Sequence, residues 1–397
     1  MLQHHRGKTR SINANDEKSW ERLVRMNSRE KFQIKAHEMA VSLLAITPSI
    51  GFLSSPRELT EAMNTADGWF VIILYGFLTM AVISVYTHLQ RKYPGQNLLE
   101  FIGQSKLGHW IAKGLALFFI VFFVSLMAYQ LHIFGDVMKL YLLIYTPPEF
   151  TTALIVLLAA YAVSKGTQGI IHLSLMFVPI TLLFIIIMVV FNIPNVNLQE
   201  LRPLFPEGIS PILRGMTVGF PAFIGIEILF FFMASMKESQ IRALPLNVSI
   251  IILVILNVLI LMSSIAIFSL QATKLATFPT VELAKEIEIP GGFFERIESL
   301  MLTVWVMSIF NALSISYLLA VQNIQAHFVP RVNKIWVTAG LAFIVIILAF
   351  VPQSLSEAFI MRHWVNSLGL ILIFAGLSCG YLSYWNRRHQ NNLKGED

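Results

Sequence analysis

The sequence has few charged residues and a single cysteine, and both shortages restrict its function. Charged residues make up 13% of the 397 residues, whereas an ordinary globular domain has about 25%. One cysteine, Cys379, cannot form an internal disulfide or a zinc or iron–sulfur site built from several cysteines. Phosphate-binding glycine loops, the dinucleotide fingerprint, the hydrolase nucleophile elbow and metal-ligand spacings are also missing. We therefore expect a protein that is not an enzyme and needs no cofactor or metal.

Hydrophobic residues, at 56%, are concentrated in long runs. A bilayer core requires roughly 20 apolar residues in a helix, because lipid cannot satisfy exposed backbone groups. Ten stretches meet or approach this length, at about 36–56, 69–89, 110–134, 150–164, 172–191, 211–236, 245–269, 297–320, 335–352 and 364–385. They leave only short loops. The sequence predicts an all-α polytopic protein of about ten transmembrane helices in the lipid bilayer.

The basic residues predict the orientation of these spans. Residues 1–35 are polar, carry nine Lys/Arg against four Asp/Glu, and lack the apolar region of a signal peptide. If this tail is cytoplasmic, 21 of the 29 basic residues lie on the cytoplasmic side. The other eight, Arg57 and Arg362 among them, lie outside. Both termini, 1–35 and 386–397, are expected in the cytoplasm, and the net charge of +6 needs no nucleic-acid partner.

Two spans contain proline and glycine at membrane depth. The first has Pro48 and Gly51, and the sixth has Gly219, Pro221 and Gly225. Proline removes an amide donor and clashes with the preceding turn, while glycine adds backbone freedom. Both helices are expected to break and to release amides and carbonyls that lipid cannot satisfy. For either break alone, the alternative is an ordinary proline kink whose released backbone groups bond to neighbouring helices.

The two breaks occupy corresponding places in two halves of the chain. Five spans lie in 36–191 and five in 211–385, joined by an outer connection at 192–210. An odd number of spans per half inverts one half relative to the other, and paired breaks in inverted halves point to a binding site at the midplane. Half-helix amides suit a carboxylate and unwound carbonyls suit an ammonium group. A zwitterionic amino acid fits both, although other small polar nutrients stay open.

Glu227 follows the second break and is the one carboxylate well inside a predicted span. An ionisable group at membrane depth is costly and is a functional candidate by default. The alternative is a structural carboxylate, protonated or bonded to released backbone. Both roles stay open, and contact with a ligand amine is one possibility.

Short motifs spread along the chain resemble the B-subunit family of spore germinant receptors, within the amino acid–polyamine–organocation transporter superfamily. The motifs run in family order from about residue 32 to the last span. They are Ser49-Ile-Gly-Phe-Leu-Ser-Ser-Pro-Arg57, Asp67-Gly-Trp69, Gly135-Asp-Val137, Thr146-Pro147, Leu201-Arg-Pro203, Gly225-Ile-Glu227, Phe278-Pro-Thr280, Phe294-Glu-Arg-Ile-Glu298 and Trp305.

The resemblance implies a subunit of the inner membrane of spores that binds a nutrient such as an L-amino acid. It would act with an A-type membrane subunit and a C-type lipoprotein to trigger germination. In the family the pocket is lined by the first, third, sixth and eighth spans. Carried over, the ligand-binding residues are Ser49, Ile50, Gly51, Phe122, Leu126, Ile224, Gly225, Glu227, Ala312 and Ser316.

This chain departs from the family in ways that bear on the ligand. The first span commonly has Gly-x-Gly in the family, where this chain has Ser49-Ile50-Gly51. Phe122 and Ala312 stand where several relatives have polar groups, which favours a ligand with an apolar side chain such as valine or leucine. Two other functions use the same spans: a proton-coupled secondary amino-acid transporter, and a scaffold or pore subunit that binds no ligand. The residues alone do not separate these from a receptor.

Overall fold

The computed structural model describes residues 33–46, 48–218, 225–287 and 297–394. Within these ranges the chain forms helices, turns and an isolated β-bridge between Ile34 and Met236. The nearly all-helical character predicted from the sequence is confirmed. Residues 1–32 of the predicted tail lie outside the described residues, as do Gly219, Pro221 and Ile224.

Eleven helices of eight or more residues follow one another along the described chain. They are α1 (Ala36–Ile46), α2 (Ser55–Met63), α3 (Gly68–Gln90), α4 (Lys106–Val137), α5 (Pro148–Ser164), α6 (Gly166–Phe191), α7 (Ser210–Val218), α8 (Ala243–Leu275), α9 (Ile297–His327), α10 (Lys334–Ala349) and α11 (Leu355–Lys394). Shorter helical segments include Pro48–Gly51 and Pro279–Lys285. A run of short helical turns spans Ile226–Ser235.

Six of these helices are long and apolar enough to cross a membrane: α3, α4, α6, α8, α9 and α11. Four shorter apolar segments accompany them in the described chain, namely α1, α5, α10 and Ile226–Ser235. Two of the four, α1 and Ile226–Ser235, belong to the spans in which proline and glycine predict a break. The chain is a multi-pass membrane protein, and a total of ten crossings stays a prediction.

Helix α9 lies in the interior of the bundle. In its most apolar stretch 83% of the residues are buried, against 33% in the corresponding stretches of α3 and α6. It packs against α4, α5 and α6, and it also packs against α1. Large apolar side chains on outer helices, such as Phe77, Trp110 and Phe343, are exposed, as is expected of a surface that faces lipid. The first broken span therefore lies inside the bundle.

Helix α8 contains an interruption that the sequence analysis missed. Ser269 has φ of 72°, in the left-handed region that serine rarely adopts. The hydroxyl of Thr273 shares its one proton between the carbonyls of Ser264 and Ser269, at 3.0 and 2.7 Å. A side chain thus satisfies backbone oxygens near the interruption. Neither proline nor glycine marks the position, so the sequence carries no simple signal for it.

Candidate functional site

The first broken span consists of α1, the turn Pro48–Gly51, a non-helical stretch at 52–54 and α2. The backbone of Pro48–Gly51, where the break was predicted, is helical, and the interruption among the described residues follows it at 52–54. Hydroxyl groups satisfy carbonyls around it. Ser49 donates to the carbonyl of Ile46 at 2.6 Å, and Thr280 donates to the carbonyl of Phe52 at 2.7 Å. Protein groups therefore replace the hydrogen bonds that water cannot supply at this depth.

The second broken span passes directly beside the first. Helix α7 ends at Val218, and the described chain resumes at Gly225 with φ of 118°. A Cβ atom at Gly225 would lie 2.4 Å from Cγ2 of Ile46, the last residue of α1. Both the positive φ and this close approach exclude a side chain at Gly225. The two broken spans thus meet at Ile46 and Gly225.

Glu227 lies next to this meeting point and is fully buried. Its Oε2 accepts a hydrogen bond from the backbone amide of Gly225 at 2.8 Å. Its Oε1 has no hydrogen-bond partner among the described residues. A Cβ atom at Gly369 of α11 would lie 3.0 Å from this oxygen and 3.0 Å from Cε2 of Phe122. The carboxylate therefore combines a structural bond to released backbone with one acceptor oxygen that a ligand or a proton could occupy.

The remaining predicted residues lie on helices around this point. Phe122 and Leu126 on α4, and Ala312 and Ser316 on α9, are fully buried. Helix α9 packs against both α4 and the Pro48–Gly51 turn. The hydroxyl of Ser316 has no partner among the described residues. Ser49 and Gly51 are buried as well, whereas only the backbone of Ile50 is described.

Two polar cavities reach towards the broken spans from opposite ends of the bundle. The larger, about 600 Å³, lies at the end near Gln33 and is bounded by Phe231 and Phe232 of the second broken span. The smaller, about 330 Å³, lies at the other end and is bounded by Val218 and α2. None of the predicted ligand-binding residues is in either lining. Among the described residues, Glu227 and its neighbours therefore line neither cavity.

A buried ion pair beside the smaller cavity was missed by the sequence analysis. Arg362 pairs with Glu58 of α2 and donates to the hydroxyl of Ser54 at 3.0 Å. Its side chain is 2% exposed, and that of Glu58 is 14% exposed. The guanidinium of Arg57 also lies 5.7 Å from the ring centroid of Phe359 on α11. Together these contacts fasten the second half of the first broken span to α11.

The burial of Arg362 was not predicted, because the tenth predicted span began at residue 364. Helix α11 begins at Leu355, so Arg362 lies two turns inside it. A signal was available in the sequence. Ala358, Arg362, Val365 and Leu372 recur at spacings of three, four and seven, which places them on one helical face, and all four are buried.

Metal chemistry has no candidate in this region. Across the described residues, no group of three or more His, Cys, Asp or Glu side chains could hold a metal ion.

Solved structures with a similar fold are membrane transporters. A Na⁺-coupled sialic acid symporter in its substrate-bound outward-open state aligns with a TM-score of 0.62 at 16% identity, covering 87% of this chain and 78% of that one. MhsT in complex with L-phenylalanine aligns with a TM-score of 0.60 at 13% identity, covering 85% and 87%. At these identities the likeness concerns the fold. The chain thus has the helical fold of a class of solute transporters.

Sequence comparison then identifies the family. Residues 33–358 match the family described as spore germination protein, so the chain belongs to that family. It is 25% identical to spore germination protein YndE of Bacillus subtilis (strain 168), over 90% of this chain and 98% of the relative. It is 26% identical to spore germination protein GerLB of Bacillus cereus, over 88% and 92%. The family predicted from the ordered motifs is confirmed.

Proposed function

We propose that the chain is the nutrient-binding membrane subunit of a spore germinant receptor. A small nutrient, in particular an L-amino acid, binds between the two broken spans, and its binding triggers germination without any enzymatic step. The observation that carries this proposal is the contact of Ile46 with Gly225 beside the half-paired carboxylate of Glu227. A buried carboxylate oxygen without a partner is a costly feature, and a ligand that donates to it would remove that cost.

The architecture proposed for this subunit is ten transmembrane helices in two inverted halves, 36–191 and 211–385. The six long apolar helices and the four shorter ones coincide with the ten apolar stretches of the sequence, which supports this count. The excess of basic residues in the two tails and in alternate connections of the sequence supports cytoplasmic termini. In the spore inner membrane, an A-type membrane subunit and a C-type lipoprotein would complete the receptor.

The ligand chemistry follows from the groups at the meeting point. The ammonium group of an amino acid would donate to Oε1 of Glu227, and its carboxylate would face amides released by the broken spans. Phe122 offers an apolar wall beside Glu227, which favours a side chain such as that of valine or leucine. One protein of similar fold is known in complex with L-phenylalanine, which supports an amino acid as the ligand.

Binding of L-leucine, L-valine and L-alanine to the purified protein in nanodiscs tests this proposal. Glu227→Gln keeps the shape of the side chain and removes its charge, so we expect an affinity loss of about tenfold or more. Glu149→Gln, at an exposed carboxylate of α5, is the matched control and should bind as the wild type does. Absence of saturable binding by every standard L-amino acid would overturn the proposal.

A proton-coupled amino-acid transporter is the second candidate, favoured by the likeness to a Na⁺-coupled symporter and by two cavities that reach the second broken span before and after Glu227 in the chain. Uptake of labelled amino acid into proteoliposomes that contain only this chain separates the two functions. Uptake driven by an imposed pH gradient supports the transporter, whereas binding without uptake supports the receptor. A scaffold or pore subunit would show neither, and Gly225→Leu would then leave germination intact.

A further inference from the structure

A groove on the outside of the bundle runs between α5 and α10. It has a volume of about 590 Å³. Small and branched apolar side chains line most of its length, including Ala153, Leu157, Ala160, Ala342, Phe343 and Ile346. Polar residues occur at one end only, where α5 finishes at Ser164 and α10 begins at Lys334. The groove is therefore an apolar channel with one polar mouth.

Lys334 lines this polar mouth, and two further cations, Lys165 and Arg331, lie close to it in sequence. Nζ of Lys334 donates to the carbonyl of Val163 at 2.8 Å, which places it at the end of α5. Lys165 follows α5 directly, and Arg331 precedes α10 by three residues. Both Lys165 and Arg331 are exposed. Lys334 thus lines the opening of the apolar groove, and Lys165 and Arg331 lie next to the ends of the two helices that form it.

No carboxylate is available nearby in sequence to neutralise them. Residues 150–199 and 299–356, which include both sides of the mouth, contain no Asp or Glu. Within the described part of the chain, no ion pair involves Lys165, Arg331 or Lys334. An external anion would therefore meet uncompensated positive charge.

Aromatic side chains mark the depth of the mouth in the membrane. Trp336, two residues after Lys334, is exposed, and so is Tyr161, whose ring centroid lies 4.8 Å from Nζ of Lys165. Exposed tryptophan and tyrosine side chains concentrate at the level of lipid headgroups. The cations therefore lie where phosphate groups lie, and the groove runs from there towards the hydrocarbon core.

We propose that this groove binds one anionic phospholipid, with an acyl chain between α5 and α10 and the phosphate at Lys165, Arg331 and Lys334. Basic pockets between transmembrane helices recognise anionic headgroups in this way. A second lipid-facing groove, of about 580 Å³ between α4, α10 and α11, has Glu357 and no Lys or Arg in its lining. We therefore expect this second groove to show no preference for an anionic headgroup, and it serves as a comparison within the same protein.

Native mass spectrometry of the protein with phosphatidylglycerol or phosphatidylcholine tests this site. The wild type is expected to retain one phosphatidylglycerol in preference to phosphatidylcholine. Each cation contributes about fivefold to the binding of an anionic lipid, so the triple variant Lys165→Gln/Arg331→Gln/Lys334→Gln should lose the preference by roughly a hundredfold. The matched triple variant Lys92→Gln/Lys106→Gln/Lys237→Gln removes the same charge from exposed positions away from the groove and should keep it.

Two further measurements make the test independent of these variants. Ala342→Phe, which fills the groove, should also abolish retention of phosphatidylglycerol. A photoreactive phosphatidylglycerol should label peptides of α5 and α10 in the wild type. Equal retention by the two triple variants, labelling confined to other helices, or a groove covered by a second copy or by a partner helix in the intact complex would each overturn the proposal.

Discussion

Replacement of Arg362 by methionine should loosen the attachment of α2 to α11. The substitution leaves Glu58 without its cation and takes a donor away from Ser54. Removal of one partner from a buried ion pair costs about 3–5 kcal/mol. Because the Glu58 side chain keeps 14% exposure and can gain water, we expect the lower end of this range, about 3 kcal/mol.

A double-mutant cycle measures this interaction directly. Arg362→Met, Glu58→Gln and the double variant are compared with the wild type by their free energies of unfolding in detergent. The double variant should lose less than the sum of the two single losses, because it leaves no unpaired charge. The pair Arg214–Glu207 is the matched control, with N and O atoms 3.1 Å apart and both side chains 50% exposed. Exposed pairs contribute about 0–1 kcal/mol.

The same variants report on the smaller cavity. Cys379 is the only cysteine, so Cys379→Ser provides a background without thiols, into which Val218→Cys introduces one in the cavity lining. Arg362→Met should speed the reaction of this thiol with a membrane-impermeant reagent. If the coupling energy of Arg362–Glu58 were no larger than that of Arg214–Glu207, and the labelling rate were unchanged, the buried pair would not hold α2 against α11.

Two substitutions test the packing around the broken spans. Thr280→Val leaves the carbonyl of Phe52 without its hydroxyl donor. The free energy of unfolding should therefore fall by about 1–3 kcal/mol. An unchanged value would show that another group satisfies this oxygen. Gly369→Ala places a Cβ atom 3.0 Å from Oε1 of Glu227, so amino-acid binding should weaken and stability should fall by about 1–3 kcal/mol. Gly340→Ala, in α10 with open space around it, is the control. If Gly369→Ala and Gly340→Ala changed amino-acid binding and the free energy of unfolding equally, the packing around Glu227 would be contradicted.

Local composition was sufficient to locate most of the helices, although α11 begins at Leu355 and its span was predicted from residue 364. The stretch predicted at 69–89 is α3, Gly68–Gln90, and that at 297–320 begins with α9 at Ile297. The bilayer imposes this regularity, because every spanning segment must satisfy its own backbone within a set length. The interruptions at the first and sixth spans were also predictable, since proline and glycine alter the backbone of their own segment.

Partners far apart in the chain were decided by the tertiary structure alone. Nothing local to Ile46 indicates that it packs on Gly225, and nothing local to Arg362 shows that it pairs with Glu58. Residues of such large separation meet only because all the helices pack together, so their contacts depend on the whole chain. The sequence by itself thus determined the membrane class, most of the helical segments and the two spans that contain proline and glycine breaks, but not the interruption at Ser269. Packing alone decided that the two breaks touch, that one oxygen of Glu227 has no partner among the described residues, and that an arginine lies buried.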